Sequence, residues 1–356
     1  MSRARAFVEY ALESGALKNL PIGALETIWG LRARQKVAKE IYLPSTCRDR
    51  GGLITIGIGG ATLGGSYKTP LALAVGTLLV ERGLRVALIG HGYHARTKEA
   101  RFVTHCDDVE VVGDEALMCA RAANKVGDHF RVVVGPTPAS AIDFLAPQPF
   151  DAWIFDGVLQ AAPTRFTHAL LATDAYEPFG NGHHPPAGTL RAPIATLLHH
   201  ADASVAVGGA ALPAEGRSFS AMPRSRGVWM RGALHPFEHF QGRRVGLLTS
   251  IARSARVVAL LARHRIRPHV HRHEGDHGTF DRESLIELGR SERIDLWLTT
   301  SKCITKLPKR LESAEVAEID FSLECSEPLA RYLTSSLTSF RGVAGRPDPQ
   351  EARQTP

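Results

Sequence analysis

The chain has 356 residues, enough for two domains, and its 44% hydrophobic and 22% charged content is that of a packed globular protein, which excludes global disorder. A formal charge of +7 points to an anionic partner, whether nucleotide, nucleic acid, acidic lipid or phosphorylated metabolite, without choosing among them. The five cysteines (Cys47, Cys106, Cys119, Cys303, Cys325) are scattered and odd in number, which suggests neither a disulfide framework nor a C-x-x-C site, and no apolar run approaches the ~18 residues of a membrane span. With no signal-peptide core at the N-terminus, a reducing cytosol is the expected compartment.

Residues 1–40 mix Leu20, Ile22, Leu25, Ile28, Trp29 and Leu31 with Arg32, Arg34, Lys36 and Lys39. As a helix this is a basic amphipathic segment, able to lie on an anionic membrane surface or to pack on its own domain. Next, LITIGIGGATLGGSYKTP (Leu53 to Pro70) reads as an apolar strand breaking into a glycine-rich loop and resuming as a helix behind Lys68 and Thr69. In a phosphate-binding loop of that shape, backbone N–H groups of Gly64, Gly65, Ser66 and Tyr67 cradle phosphate oxygens, Lys68 neutralises charge and Thr69 ligates Mg²⁺. The consensus G-x-x-x-x-G-K-[ST] fails twice, because Thr62 and Tyr67 hold its glycine positions. A side chain at Tyr67 either blocks the approach to phosphate or takes a positive φ.

A helix is expected over Leu71 to Arg82 and a buried strand over Arg85 to Gly90, completing a βαβ unit. Further apolar runs at Val109 to Val112, Arg131 to Val134, Ala152 to Phe155, Ala169 to Ala172 and Ser204 to Val207 read as strands alternating with helices, which implies a mostly parallel sheet covered on both faces. The pattern lapses between Met222 and Gly242, as at a crossing between domains, and a second α/β pattern follows through the strand Asp295 to Thr299. The tail from Gly342 is polar, proline-bearing and expected to be disordered.

Residues just after strand ends are where such sheets bind ligands. Asp156 closes the run Phe150 to Asp156, as a Mg²⁺ ligand or a strand-end cap. Asp114, in Gly113-Asp-Glu115, serves either as a proton acceptor for an attacking hydroxyl or as the N-cap of a helix through Leu117 to Ala123. Gly180, Asn181 and Gly182 open a long glycine- and proline-rich loop that ends at Arg191, a candidate phosphate contact. Alternation puts His269, His271 and His273 on one side of a strand, but no cysteine or second histidine cluster completes a zinc set. Beyond them, His277 could assist a general base or sit in an exposed loop.

The ordered set GGATLGGSYKTP, HGYHAR, GDEAL, FDGVLQ, FGNGHHPPAGTLRAP, GDHGTF and LTTSK resembles the tetraacyldisaccharide 4′-kinases of lipid A biosynthesis over about residues 50–305. Their corresponding motifs are GNxxxGGTGKTP, RGYG, GDEP, DDGLQH, GNGxxLPAGPLREP, DHHxF and TTEKD. The resemblance implies a P-loop NTPase-like α/β fold with helices on both faces of a mostly parallel sheet. It divides the chain into an amphipathic segment (1–40), a kinase core (41–235), a smaller C-terminal α/β domain (236–341) and a tail (342–356).

It further implies transfer of the ATP γ-phosphate to the 4′-hydroxyl of a tetraacylated glucosamine disaccharide 1-phosphate, at the cytoplasmic face of the inner membrane. Lys68 and Thr69 would serve ATP and Mg²⁺, Asp156 the metal, and Asp114 with His277 the sugar hydroxyl; Gly180, Asn181, Gly182 and Arg191 would contact substrate. An anionic glycolipid accounts for the basic balance, and nothing asks for a nucleic acid or an obligate protein partner. Departures from the motifs are Tyr67, His91, Gly157, Ala161, Ala192, Ser301 and Cys303. They motivate a second reading, a relative that binds glycolipid or nucleotide without turnover. The outline Leu63 to Thr69 motivates a third, a regulatory ATPase with a deviant loop.

Overall fold

A computed structural model of the protein describes residue 30 and residues 41–49, 52–90, 96–212, 216–312 and 314–341. The amphipathic segment expected before residue 41 (apart from Gly30), His91 and the tail from Gly342 lie outside the described residues.

In chain order the first strands are β1 (Ile41–Leu43), β2 (Ile54–Gly60), β3 (Val86–Ile89), β4 (Arg101–Val103), β5 (Phe130–Val134), β6 (Ala152–Asp156), β7 (Ala161–Pro163), β8 (His168–Asp174), β9 (Ala203–Val207) and β10 (Arg217–Arg224). Between them run helices α1 (Lys68–Glu81), α2 (Val109–Val112), α3 (Asp114–Val126), α4 (Pro138–Leu145) and α5 (Ile194–His200). A second group follows: β11 (Val228–Met230), β12 (Ala233–His235), β13 (Val245–Thr249), α6 (Ala255–Arg263), β14 (Val270–His273), α7 (Arg282–Ser291), β15 (Leu296–Thr299), β16 (Arg310–Leu311) and β17 (Ala314–Ile319). The described residues end with β18 (Ser322–Cys325) and α8 (Glu327–Arg341).

Nine strands form one sheet in the order β18-β10-β9-β8-β2-β6-β3-β5-β4, parallel except for β4 and β18 at its edges. A second sheet runs β12-β11-β17-β15-β13-β14, with β16 on β17. Strands buried on both faces read as continuous apolar runs, which is why ITIGIGG and HALLATD sit at the centre of the first sheet. The period of two sends alternate residues to opposite layers: Ile54, Ile56, Ile58 and Ile154 pack under α1 and α3, whereas Trp153 and Phe155 enter the layer that contains α4.

The structure departs from the sequence reading at several places. Val109 to Val112, expected as a strand, is a one-turn helix, since Asp108 caps Glu110 N at 2.8 Å and Gly113 ends the turn at φ 87°. The residue before α3 is Gly113, so Asp114 is its first helical residue and not its N-cap. The stretch Met222 to Gly242, expected as a crossing, includes the end of β10 and the β11–β12 hairpin of the second sheet. Residues 322–341, assigned by the sequence to a C-terminal unit, return to the first sheet: β18 pairs antiparallel with β10, and α8 lies beside it. The second sheet is thus carried between two strands of the first. On β14, His271 Nε2 and His273 Nδ1 lie 2.8 and 3.0 Å from the Thr249 hydroxyl.

Helix α1 reaches the sheet closely because Gly76 carries no side chain. A Cβ there would come 2.1 Å from the ring tip of buried Phe130. Alanine is the better helix former by ~1 kcal/mol. Overpacking reverses the sign, so Gly76→Ala is expected to destabilise the protein by roughly 1–3 kcal/mol in urea unfolding, with partial recovery when Phe130→Leu is added.

Candidate active site

The turn from β2 into α1 holds the phosphate-loop residues. Thr69, in the first turn of α1, donates its hydroxyl to Asp156 Oδ2 at 2.6 Å. The parallel register of β2 and β6, with Ile58 opposite Asp156, brings that carboxylate beneath the loop. Ser66 Oγ is buried with no hydrogen-bond partner among the described residues. Arg191 lies behind Asp156 with its Nη2 3.4 Å from Gly157 O, and burial lowers its pKa against the opposing pull of Asp156.

The loop Gly180 to Arg191 braces this turn. Leu63 N donates to Thr189 O and Arg191 N to Ala61 O, both at 2.9 Å, and Thr62 pairs with Leu190. Asn181 is spent within the loop, donating to Ala187 O at 2.9 Å and accepting from His183 N at 3.2 Å. Gly180, Asn181 and Gly182, expected at the substrate, therefore do not line the cleft; of that set only Arg191 does.

Tyr67 takes the backbone conformation of the glycine it replaces, with φ 60° and ψ 19°. Its ring turns toward the second sheet, stacked on Phe321 at 6.3 Å and 15°, with the Arg256 guanidinium 4.5 Å from its centroid. Burial raises the pKa of its phenol, so it stays neutral. Arg256 also donates to Gly65 O at 2.7 Å and pairs with the Asp174 carboxylate at the end of β8. Arg253 stands 3.8 Å from Asp174 and 3.1 Å from Glu177.

Across the cleft, α3 presents Asp114 to His277, which follows β14. His277 Nδ1 is 3.3 Å from Asp114 Oδ2, and Lys306 Nζ is 3.2 Å from the same oxygen. Burial opposes ionisation of Asp114, but the His277 hydrogen bond and the charges of Lys302 and Lys306 outweigh it and hold the carboxyl well below its usual range. His277 itself is held at φ 57°, a conformation uncommon outside glycine and typical of functional sites. The neighbouring Asp276 is close enough to the phosphate loop to feel the Lys68 charge. Both ends open on one cavity of about 1850 Å³ between the two sheets, lined by Lys68, Thr69, Arg191, Asp276 and His277 among others.

A family model described as tetraacyldisaccharide-1-P 4′-kinase matches residues 27–338. The chain belongs to the tetraacyldisaccharide-1-P 4′-kinase family. That is a family of phosphotransferases with an alcohol acceptor. A tetraacyldisaccharide 4′-kinase of Chelativorans sp. (strain BNC1) is 28% identical over 295 residues, 80% of this chain and 82% of the relative. One from Brucella ovis is 31% identical over 180 residues, 50% of this chain and 48% of the relative. The fold matches the crystal structure of the "apo" form of LpxK from Aquifex aeolicus in complex with ATP, with a TM-score of 0.64 and 21% identity over 92% of this chain and 99% of that one.

Two of the departures from the 4′-kinase motifs are buried side chains. Cys303, where the family has an acid, is buried and accepts from Ser250 N and Thr300 Oγ1, each at 3.1 Å. Ala192 is fully buried. Sequence reasoning gave no role to Glu115, Arg253, Arg256, Lys302 or Lys306. The signal for Lys302 was present in LTTSK; Arg253 and Arg256 carry no motif, and only the fold brings them to Gly65 and Asp174.

Arg256→Ala removes the main partner of nearly buried Asp174 and the anchor of the Gly65 carbonyl. The expected loss is about 2–4 kcal/mol in urea unfolding, with faster hydrogen exchange at the amides of Gly65 to Lys68.

Proposed function

We propose that the protein is an ATP-dependent kinase that phosphorylates the 4′-hydroxyl of a tetraacylated glucosamine disaccharide 1-phosphate in lipid A biosynthesis. The observation that carries this reading is the Asp114–His277 pair, at 3.3 Å, whose histidine lines the same cleft as Lys68 and Thr69. Family membership and the named relatives support it.

In this reading the loop amides from Gly64 to Tyr67 and the Lys68 ammonium hold the triphosphate, and Arg191 adds charge at the loop base. The Thr69 hydroxyl and Asp156 carboxylate are adjacent hard oxygen donors, which fits Mg²⁺, an ion that takes one or two protein oxygens and completes its shell with water and phosphate. Bound there, it would neutralise charge on the phosphates. Asp114, kept anionic, is suited to accept the hydroxyl proton, with the His277 imidazole donating Nδ1–H to its other side. The acceptor is an anionic lipid, so the enzyme would work at the cytoplasmic face of the inner membrane as a peripheral protein. No helix among the described residues is long and apolar enough to cross a membrane.

A second reading, ligand binding without turnover, is favoured by Gly157, which leaves Asp156 without the second acid of the family pair, and by the Tyr67 ring at the loop. Both are separated by one assay. Purified protein with detergent-dispersed acceptor and γ-labelled ATP is expected to transfer label, and Asp114→Asn, His277→Gln and Lys68→Met each to slow transfer by about 10²–10⁴-fold. No transfer, together with acceptor binding and weak or absent Mg-ATP binding by calorimetry, would establish the second reading instead, and tight Mg-ATP affinity would count against it.

A further inference from the structure

Two lysines that follow β15 stand in the site with every donor engaged. Lys302 Nζ meets Asp276 Oδ1 at 3.0 Å, Glu115 Oε1 at 3.1 Å and His277 Nε2 at 3.1 Å. Lys306 Nζ meets Ser250 Oγ at 2.7 Å, Gly278 O at 3.0 Å and Asp114 Oδ2 at 3.2 Å. An ammonium has three N–H bonds and no acceptor, so three acceptors around each nitrogen fix its orientation.

We propose that Lys302 is a positioning residue that locks the His277 ring as the Nδ1–H tautomer facing Asp114. The inference rests on the kinase reading above for its effect on rate. Lys302 can only donate, so Nε2 must accept, and the ring proton is driven to Nδ1, where Asp114 Oδ2 takes it. Glu115 and Asp276 hold the ammonium charged: burial works against its charge, but these acids and Asp114 raise its pKa. The groups that face the histidine are Asp114 and Glu115 from α3, Asp276 beside it, and Lys302 from the second sheet. Lys306 reaches it through Asp114, and Lys68 through Asp276. Lys302 thus joins an α3 acid of one sheet to the histidine of the other, and the pair is aligned only while the two are closed together.

The test compares Lys302→Met, Lys302→Arg and the charge-balanced double variant Glu115→Gln/Lys302→Met, which guards against misfolding around two uncompensated acids. Wrong orientation of a histidine costs up to ~10⁴-fold in related acid–base sites. Lys302→Met is expected to lower kcat by about 10²–10⁴-fold with both KM values within about threefold. Losing a positive charge eases protonation of Asp114, so the acid limb of the rate profile moves to higher pH. Lys302→Arg recovers part of kcat. The double variant restores the limb but stays slow, because Nε2 still lacks its donor. In ¹⁵N-histidine spectra, with His277 assigned through His277→Gln, the single Nδ1–H pattern of the parent gives way to averaged tautomers in both methionine variants. Parental kcat in the double variant, or an unchanged His277 spectrum in Lys302→Met, would overturn the proposal. The spectra need no turnover, so an inactive parent would sink the kinase reading and leave this test intact.

Discussion

Acids at the carboxyl edge of the first sheet meet bases from the second, and the site depends on that meeting. Asp114 and Glu115 on α3 face Lys306 and Lys302, and Asp174 at the end of β8 faces Arg256 and Arg253. Neither set is comfortable alone. A nearly buried carboxylate without its cation carries a desolvation cost of several kcal/mol, as does the cation without its acid. Charge therefore does here what a shared apolar core does inside each lobe: it specifies how the two lobes come together, and it does so along the cleft between them.

Much of the first sheet was legible because parallel strands buried on both faces leave long apolar runs, and ITIGIGG, AWIFD and HALLATD are of that kind. Val109 to Val112 misled for the same reason: four apolar letters do not distinguish a buried strand from one turn of helix, and the deciding residues were the cap Asp108 and the stop Gly113. The sequence could nominate Lys68 and Thr69 because the roles proposed for them follow from their own loop. At Gly180 to Gly182 the spacing looks like a ligand loop, while the Asn181 side chain is bonded within that loop, which no local pattern announces. Arg253 and Arg256 were invisible, since nothing local in Ala252 to Val258 signals that this helix end will touch Gly65 across the cleft.

Tyr67 was the sharpest irregularity in the sequence, and the geometry explains how the chain tolerates it. A bulky residue at φ 60° costs on the order of 1–2 kcal/mol. Stacking on Phe321 and a guanidinium over the ring offset part of that cost, and both partners lie outside the first lobe's loop. With the ring held by Phe321 and Arg256, the Tyr67 backbone keeps the left-handed conformation that glycine adopts freely. The substitution has thereby coupled the phosphate loop to α6.

The return of β18 to β10 has a consequence for how this protein is made. The edge of the first sheet is completed only after the whole second sheet has been synthesised, because β18 follows β17 in the chain. Strand β10 waits for a partner roughly a hundred residues downstream, and contacts of that range are slow to form. The same double crossing, near Arg226 and Asp320, gives the lobes two chain connections in place of one. Asp320 ties them together by accepting from Arg226 N at 3.1 Å and Trp229 Nε1 at 2.9 Å. The two connections run side by side at that seam, and a chain ending before Ser322 would lose β18, an edge strand of the sheet that holds the loop between β2 and α1.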